Sequence, residues 1–195
     1  MKIGLGLYPH LLTPETYRYA CQAGVTQVVA HLPGFARREG RGLPPGQMWT
    51  LEELAELKRG MNDAGLAFAA IENFEVEHWY DVLLDGPRRD EQMAGLKELL
   101  RNMGQLGIGI MGYNFSYANV WGTTTVTRAR GGAPAPGYST DLAPPQAEIP
   151  NGMVWNTVYD RDAPEGTIGT VSEEQIWERY ERFLTELVPV AEEAK

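Results

Sequence analysis

Four short apolar runs divide the chain into repeating units. The runs are IGLGL at 3–7, TQVVAHL at 26–32, LAFAAIEN at 66–73 and IGIMGYNF at 108–115. Their apolar residues are nearly continuous, which is typical of parallel strands that are covered on both faces. Each run is followed by a stretch with helical periodicity. A strand followed by a helix, four times over, predicts an α/β protein with a parallel sheet.

Capping residues give the predicted helix boundaries. Thr50 and Glu53 form a capping box, and Ser172 and Gln175 repeat it before the last helix. The helices that start at positions 13, 50 and about 90 end at Gly24, Gly65 and Gly107, and the fourth starts at 172. The apolar stripe of the fourth helix consists of Ile176, Tyr180, Phe183, Leu187 and Val190.

Parallel strands joined by helices can form an open doubly wound sheet or a closed barrel of eight units. The dinucleotide-binding open sheet carries G-x-G-x-x-G after its first strand, and GLGLYP at 4–9 lacks the third glycine. The pattern therefore favours an α/β fold of the (β/α) TIM-barrel type.

One segment, 116–171, is too long for a simple connection. It is rich in Gly and Pro and contains the aromatic residues Tyr117, Trp121, Tyr138, Trp155 and Tyr159. Long loops of this kind in compact domains usually cover or line a binding site. We expect a single domain over 1–195, with this segment as its active-site loop.

Polar residues follow the predicted strands at their carboxyl ends, where parallel α/β folds place their sites. The predicted substrate-binding residues are Tyr8, His31, Glu72, Tyr113 and Asn114 at strand ends, with Trp121 and Arg128 from the long segment. His10 also follows the first strand but is not among the candidates.

These residue types suit a polyhydroxylated acid. Imidazole titrates near neutral pH, so His31 can hold a hydroxyl or move a proton. Glu72 needs a partner at the end of a buried strand, and Arg128 matches a carboxylate in a two-bond fork. Each has a structural alternative: a hydrogen-bonded core histidine, a turn-forming asparagine, an aromatic ring that anchors a loop, or a solvated arginine. The pattern identifies no catalytic residue and no metal ligand.

Composition and charge limit the partners. The chain is 43% hydrophobic and 22% charged, with a formal net charge of −9. It lacks the clustered Lys and Arg that nucleic acid or anionic membrane surfaces demand, so a small molecule or a protein is the expected partner. Cys21 is the one cysteine, and the start MKIGLGLYPH lacks the apolar region of a signal peptide. We expect a cytoplasmic protein.

Three segments together resemble a known family. They are LPPGQMWTLEELAELKRGMNDAGLAFAAIENFEV at 43–76, LKELLRNMGQLGIGIMGYNF at 96–115 and FLTELVPVAEEAK at 183–195. In this order they resemble the mannonate dehydratase family of the xylose-isomerase-like TIM barrels. The resemblance implies that the chain holds the first four strand and helix units of eight.

The resemblance also implies an activity. The family removes water from D-mannonate to give 2-keto-3-deoxy-D-gluconate, with a divalent metal, typically Mn²⁺, held by His, Cys, His and Asp from later strands. Those ligands are expected beyond Lys195, so the isolated chain is expected to be inactive. One departure concerns the substrate: the family has His-His after strand 2, whereas His31 precedes Leu32 and the insertion GFARREGRG.

Two alternatives remain open. The first is a sugar isomerase or epimerase on the same barrel, which a Glu, Asp, His, Glu ligand set would distinguish. The second is a non-catalytic half-barrel that associates with a partner chain or with itself. Four strands of an unclosed barrel would leave two open sheet edges, which predicts self-association.

Overall fold

The computed structural model describes residues 2–32, 48–117, 130–135, 141, 148–155 and 157–195. The strands are β1 (Gly4–Leu7), β2 (Gln27–Leu32), β3 (Ala67–Phe74), β4 (Ile110–Gly112), β5 (Met153–Val154) and β6 (Thr157–Val158). The helices are α1 (Pro14–Gln22), α2 (Leu51–Asp63), α3 (Tyr80–Leu84), α4 (Arg89–Gln105) and α5 (Glu173–Glu193). Short 3₁₀ turns lie at Pro9–Leu11, Val76–His78 and Arg130–Gly132.

The first four strands form one parallel sheet in the order β1-β2-β3-β4. Neighbours in the sequence are therefore neighbours in the sheet. This confirms the predicted α/β class and all four predicted strands. β4 is shorter than the run 108–115, because only Ile110–Gly112 pair with β3.

One face of this sheet carries the core. Leu7, Val28 and Ile71 are buried, whereas Gly4 and Gly6 on the opposite face are exposed. Ile110 on that same open face is 60% exposed. The expectation that both faces are covered is therefore wrong for the described residues. Right-handed crossovers between successive neighbouring strands place every helix on the same side, which explains the difference.

The predicted helix starts at Thr50 and Ser172 are confirmed by their capping boxes. The Thr50 amide donates to Glu53 Oε2 at 2.9 Å, and the Glu53 amide donates to Thr50 Oγ1 at 3.3 Å. Ser172 and Gln175 make the same reciprocal pair, at 2.9 and 3.2 Å. These bonds satisfy amides that the first helical turn leaves without partners.

Helix α3 was not predicted, because its cap comes from elsewhere in the chain. Gln92 on α4 accepts hydrogen bonds through Oε1 from the amides of Asp81, at 2.7 Å, and Val82, at 3.3 Å. Asp81 in turn accepts from the Arg88 amide at 2.8 Å. Helix α3 thus depends on the following helix for its first turn.

Helix α5 packs on the core through its predicted stripe. Phe183, Leu187 and Val190 are buried, and the Phe183 ring lies edge-on to Tyr113 with ring centroids 5.1 Å apart. This part of the stripe is confirmed.

An ion cluster also joins α5 to α4. Glu186 on α5 accepts from Arg89 at 2.5 Å and from Lys97 at 2.8 Å. Its side chain is 31% exposed, so water screens these pairs only in part. The cluster therefore fixes the packing of the two helices.

The chain divides into two compact units, Met1–Asn114 with Arg179–Lys195, and Phe115–Glu178. The second unit contains the antiparallel hairpin β5–β6 and an isolated bridge between Pro150 and Thr167. The long segment after strand 4 thus has structure of its own, while the single-domain assignment of 1–195 stays a prediction. In the described ranges, no helix has both the length and the apolarity for a membrane crossing.

Glu186 gives a test of the helix packing. The hydrogen bond from Lys97, aided by Arg89, holds the pKa of Glu186 below its ordinary value. A carboxyl with a lowered pKa in the folded state stabilises at pH above its unfolded pKa, about 4.3, and this contribution is lost as the pH falls through the folded pKa. We expect Glu186→Gln to lower the free energy of unfolding by about 1 kcal/mol at pH 7. The difference should shrink below about pH 4.

Urea unfolding followed by circular dichroism at pH 7, 5 and 3.5 measures this difference. Glu193→Gln, at an exposed carboxylate on the same helix, is the matched control and should behave as wild type at each pH. A loss of stability that stays the same from pH 7 to 3.5 would contradict the ionic origin of the contact.

Candidate active-site residues at the strand ends

The carboxyl ends of β1, β2 and β3 bring three of the predicted site residues together. His31 and Glu72 are register partners across β2 and β3, so both side chains leave the sheet on the same face. His31 Nε2 lies 3.5 Å from Glu72 Oε2. This distance is an ion-pair contact when the imidazole is protonated, and it is too long for a strong hydrogen bond.

Tyr8 forms an aromatic wall beside this pair. Its ring centroid is 4.7 Å from that of His31, with the planes tilted by 34°. The Tyr8 ring also stacks with the ring of His10, with centroids 6.2 Å apart and planes at 11°. His10 thus joins the cluster although it was not among the predicted site residues, and its position two residues after Tyr8 was the available signal.

Two glycines leave the space that the His31–Glu72 pair occupies. A Cβ at Gly6 would lie 2.9 Å from His31 Nε2, a shorter distance than Cβ atoms in proteins keep from neighbouring heavy atoms. A Cβ at Gly112 would lie 3.5 Å from Glu72 Cγ, an ordinary contact. Gly6 is therefore the tighter constraint. Its importance depends on a neighbouring strand, so no local motif could reveal it.

A break in the strand register follows the pair. The β2–β3 register shifts between His31 and Leu32, and Asn73 has a left-handed backbone with φ of 57°. Asparagine tolerates this conformation better than most residues. Such bulges often sit beside functional sites, where they redirect a side chain. Here Asn73 is the extra residue between two pairs of register partners, His31 with Glu72 and Leu32 with Phe74.

Tyr113 lies elsewhere in this unit. Its hydroxyl is 3.0 Å from the hydroxyl of Tyr180 on α5, and its ring packs against Phe183. Burial, with the Tyr180 hydrogen bond, raises the pKa of Tyr113 above its ordinary value. The structure therefore places Tyr113 with the helix layer rather than with His31 and Glu72. Asn114 follows it and is half-buried.

The remaining predicted residues, Trp121 and Arg128, lie outside the described residues.

A metal centre is a separate question. Within the described ranges, no group of three or more His, Cys, Asp or Glu side chains converges as a metal site requires. The cluster of Tyr8, His31 and Glu72 places a phenol, an imidazole and a carboxylate together at the strand ends. Such a set can bind hydroxyl groups and exchange protons.

Comparison with known proteins identifies the family. The family model described as D-mannonate dehydratase (UxuA) matches residues 8–195. The mannonate dehydratase of Streptococcus pneumoniae (strain 70585) is 33% identical over 165 residues, which cover 78% of this chain and 43% of that protein. Mannonate dehydratase 2 of Halalkalibacterium halodurans is 27% identical over 158 residues, covering 76% and 44%.

A solved structure gives the same result. The crystal structure of mannonate dehydratase from Streptococcus suis serotype2 matches with a TM-score of 0.63 and 26% identity, covering 100% of this chain and 51% of that one. The chain thus spans about half the length of these relatives. With a family match from Tyr8 to Lys195, the chain belongs to the D-mannonate dehydratase (UxuA) family.

Proposed function

We propose that this chain supplies the first four units of a TIM-barrel hydro-lyase that converts D-mannonate to 2-keto-3-deoxy-D-gluconate and water. Family membership supports the reaction, and the sequential parallel strand order supports the barrel. A sheet with helices on one side and small residues on the other also suits a barrel wall, whereas a doubly wound sheet has helices on both faces.

The observation that carries the proposal is the pairing of His31 with Glu72 at 3.5 Å at the carboxyl ends of β2 and β3. A sugar acid presents several hydroxyls, each of which donates and accepts hydrogen bonds. The Glu72 carboxylate accepts from such a hydroxyl, and the His31 imidazole donates to or accepts from a second. Tyr8 closes the side of the site with its ring.

The reaction needs a base, an acid and a cation. The proton beside the carboxylate is removed, the neighbouring hydroxyl leaves as water, and the resulting enol rearranges to the ketone. A divalent metal such as Mn²⁺ would stabilise the enolate-like charge. The described residues do not fit a metal centre, and its ligands are expected outside them. This chain's share is then to bind and orient the sugar acid.

The first prediction concerns binding. We expect D-mannonate to shift the NMR signals of His31 and its neighbours in the 195-residue chain. Glu72→Gln should weaken this binding about tenfold, because a hydrogen bond to a charged group is worth about 1.5–3 kcal/mol. Glu98→Gln, at an exposed carboxylate on α4, is the control and should bind as wild type. Equal binding by all three proteins would place the sugar acid elsewhere.

The second prediction concerns the space beneath His31. Gly6→Ala should displace the imidazole from Glu72 and weaken D-mannonate binding several-fold, because its Cβ would overlap His31 Nε2. Gly4→Ala is a matched control in the same strand, since its Cβ would come no closer than 3.9 Å to Gln27. Both variants should keep the wild-type unfolding midpoint within a few degrees. Identical titrations for the two alanine variants would contradict the role given to Gly6.

The third prediction concerns turnover. The isolated chain should form no measurable 2-keto-3-deoxy acid from D-mannonate, with or without added Mn²⁺, because the described residues provide no metal centre. A colorimetric assay for the keto acid measures this, with a full-length relative as the positive control. Manganese-dependent turnover by the purified chain would show that the metal ligands lie within it.

A further inference from the structure

The candidate site forms a row of side chains that crosses three neighbouring strands. Tyr8 follows β1, His31 lies at the end of β2 and Glu72 lies near the end of β3, in the sheet order β1-β2-β3. Neighbouring strands lie about 4.8 Å apart, so the row from β1 to β3 extends over about 10 Å. His10 lies at the β1 end, because its ring stacks with that of Tyr8 at 6.2 Å between centroids. The row therefore has a carboxylate at one end and a second imidazole at the other.

Hydrogen bonds hold the backbone around His10. It lies in the 3₁₀ turn Pro9–Leu11, where the Leu11 amide donates to the Tyr8 carbonyl at 2.8 Å. The Thr13 amide donates to the Leu11 carbonyl at 2.8 Å, and Thr13 then caps α1. The turn is thus fixed between a paired strand and a capped helix. The side chain of His10 is exposed, so a ligand at the strand ends can reach it.

Charge decides how a sugar acid lies along this row. The Glu72 side chain is 48% exposed, and its one ion-pair contact among the described residues is with His31, so no Lys or Arg there neutralises it. Like charges at contact distance repel each other, even where water weakens the interaction. The carboxylate of a sugar acid is therefore directed away from Glu72 and towards the β1 end of the row.

We infer that His10 binds the carboxylate of the sugar acid and makes the site select acids over neutral polyols. The inference rests on the proposed function, since it takes a sugar acid as the ligand. An imidazole N–H donates a hydrogen bond to a carboxylate, and such a bond to an ionised group is stronger than one between neutral groups. His31 and Glu72 then hold hydroxyl groups at the other end of the molecule.

The length of the row suits a six-carbon acid. Carbon–carbon bonds of about 1.5 Å give such an acid, extended and with its terminal oxygens, a length of roughly 8 Å. A hydrogen bond of about 2.8 Å at each end adds to this reach. The ring centroids of His10 and His31 are no further apart than the spacings of 6.2 Å and 4.7 Å placed end to end. One molecule can therefore contact both imidazoles.

A role in positioning alone is the alternative for His10. Its ring would then support Tyr8, and through Tyr8 the imidazole of His31, without touching the ligand. The two roles need different properties of the side chain. Support of Tyr8 needs a flat ring at position 10, whereas binding of a carboxylate needs an N–H donor there.

Titrations of the 195-residue chain with D-mannonate and with D-mannitol, a neutral polyol of the same carbon number, separate the two roles. NMR shifts give a Kd for each ligand, and the ratio of the two measures the selection of acids. We expect wild type to bind D-mannonate at least tenfold more tightly than D-mannitol, because a hydrogen bond to an ionised group is the stronger one.

Two variants of His10 test its role. His10→Phe keeps a flat ring beside Tyr8 but has no N–H, so it should lower the preference for D-mannonate about tenfold and leave D-mannitol binding within about twofold of wild type. His10→Arg keeps planar N–H donors that match a carboxylate, so it should keep or increase the preference. Circular dichroism checks that both variants keep the wild-type fold.

A matched control accounts for the added charge. Tyr19→Arg places a guanidinium on α1, at a residue that is 68% exposed and outside the site. It should keep the wild-type ratio of the two Kd values. An equal increase in Tyr19→Arg and His10→Arg would overturn the inference, because the general charge of the protein would then explain the selection.

The remaining outcomes separate the inference from the proposed function. A wild-type ratio in His10→Phe would show that His10 only supports Tyr8, and a lost preference in His10→Arg would contradict the role of its N–H donors. If D-mannonate binding responds to Glu72→Gln but not to His10→Phe, the inference alone fails. If wild type binds neither ligand, the proposed function fails and the inference fails with it.

Discussion

The sequential pairing of four parallel strands is the constraint on which the rest of the structure depends. Because each strand lies beside its predecessor, the crossovers all turn the same way and deliver the helices to one face. The core then forms between that face and the helices, where Val28, Ile71 and Phe183 are fully buried. The same order gathers the carboxyl ends of the strands at one rim, and this places His31 beside Glu72.

The candidate site depends on small residues as much as on polar ones. His31 reaches Glu72 because Gly6 on the adjacent strand has no side chain, and the bulge at Asn73 shifts the β2–β3 register directly afterwards. A larger residue at position 6 would keep the sheet and lose the geometry. The spacing of the two charged groups is therefore a property of three strands together, not of any one motif.

The contrast between local motifs and contacts across several strands explains what could be predicted from the sequence. The boundaries of α2 and α5 follow from capping pairs three residues apart, and the meeting of Tyr8, His31 and Glu72 follows from the rule for strand ends. This reasoning could not predict helix α3, the role of Gly6 or the packing of Tyr113 against α5. Each depends on a contact between distant residues, with Gln92, His31 and Tyr180 respectively.

The packed core and the candidate site lie on opposite faces of this sheet. The helix-side face is covered by helices of the described chain, two of which are joined by the Glu186 ion cluster. The other face is built largely of small residues such as Gly4 and Gly6, and exposing them to water costs little. Ile110 is the main exception, and covering an isoleucine side chain fully would gain about 1.5–3 kcal/mol. The described residues can therefore form a well-packed core while the face that carries the candidate site stays open to water.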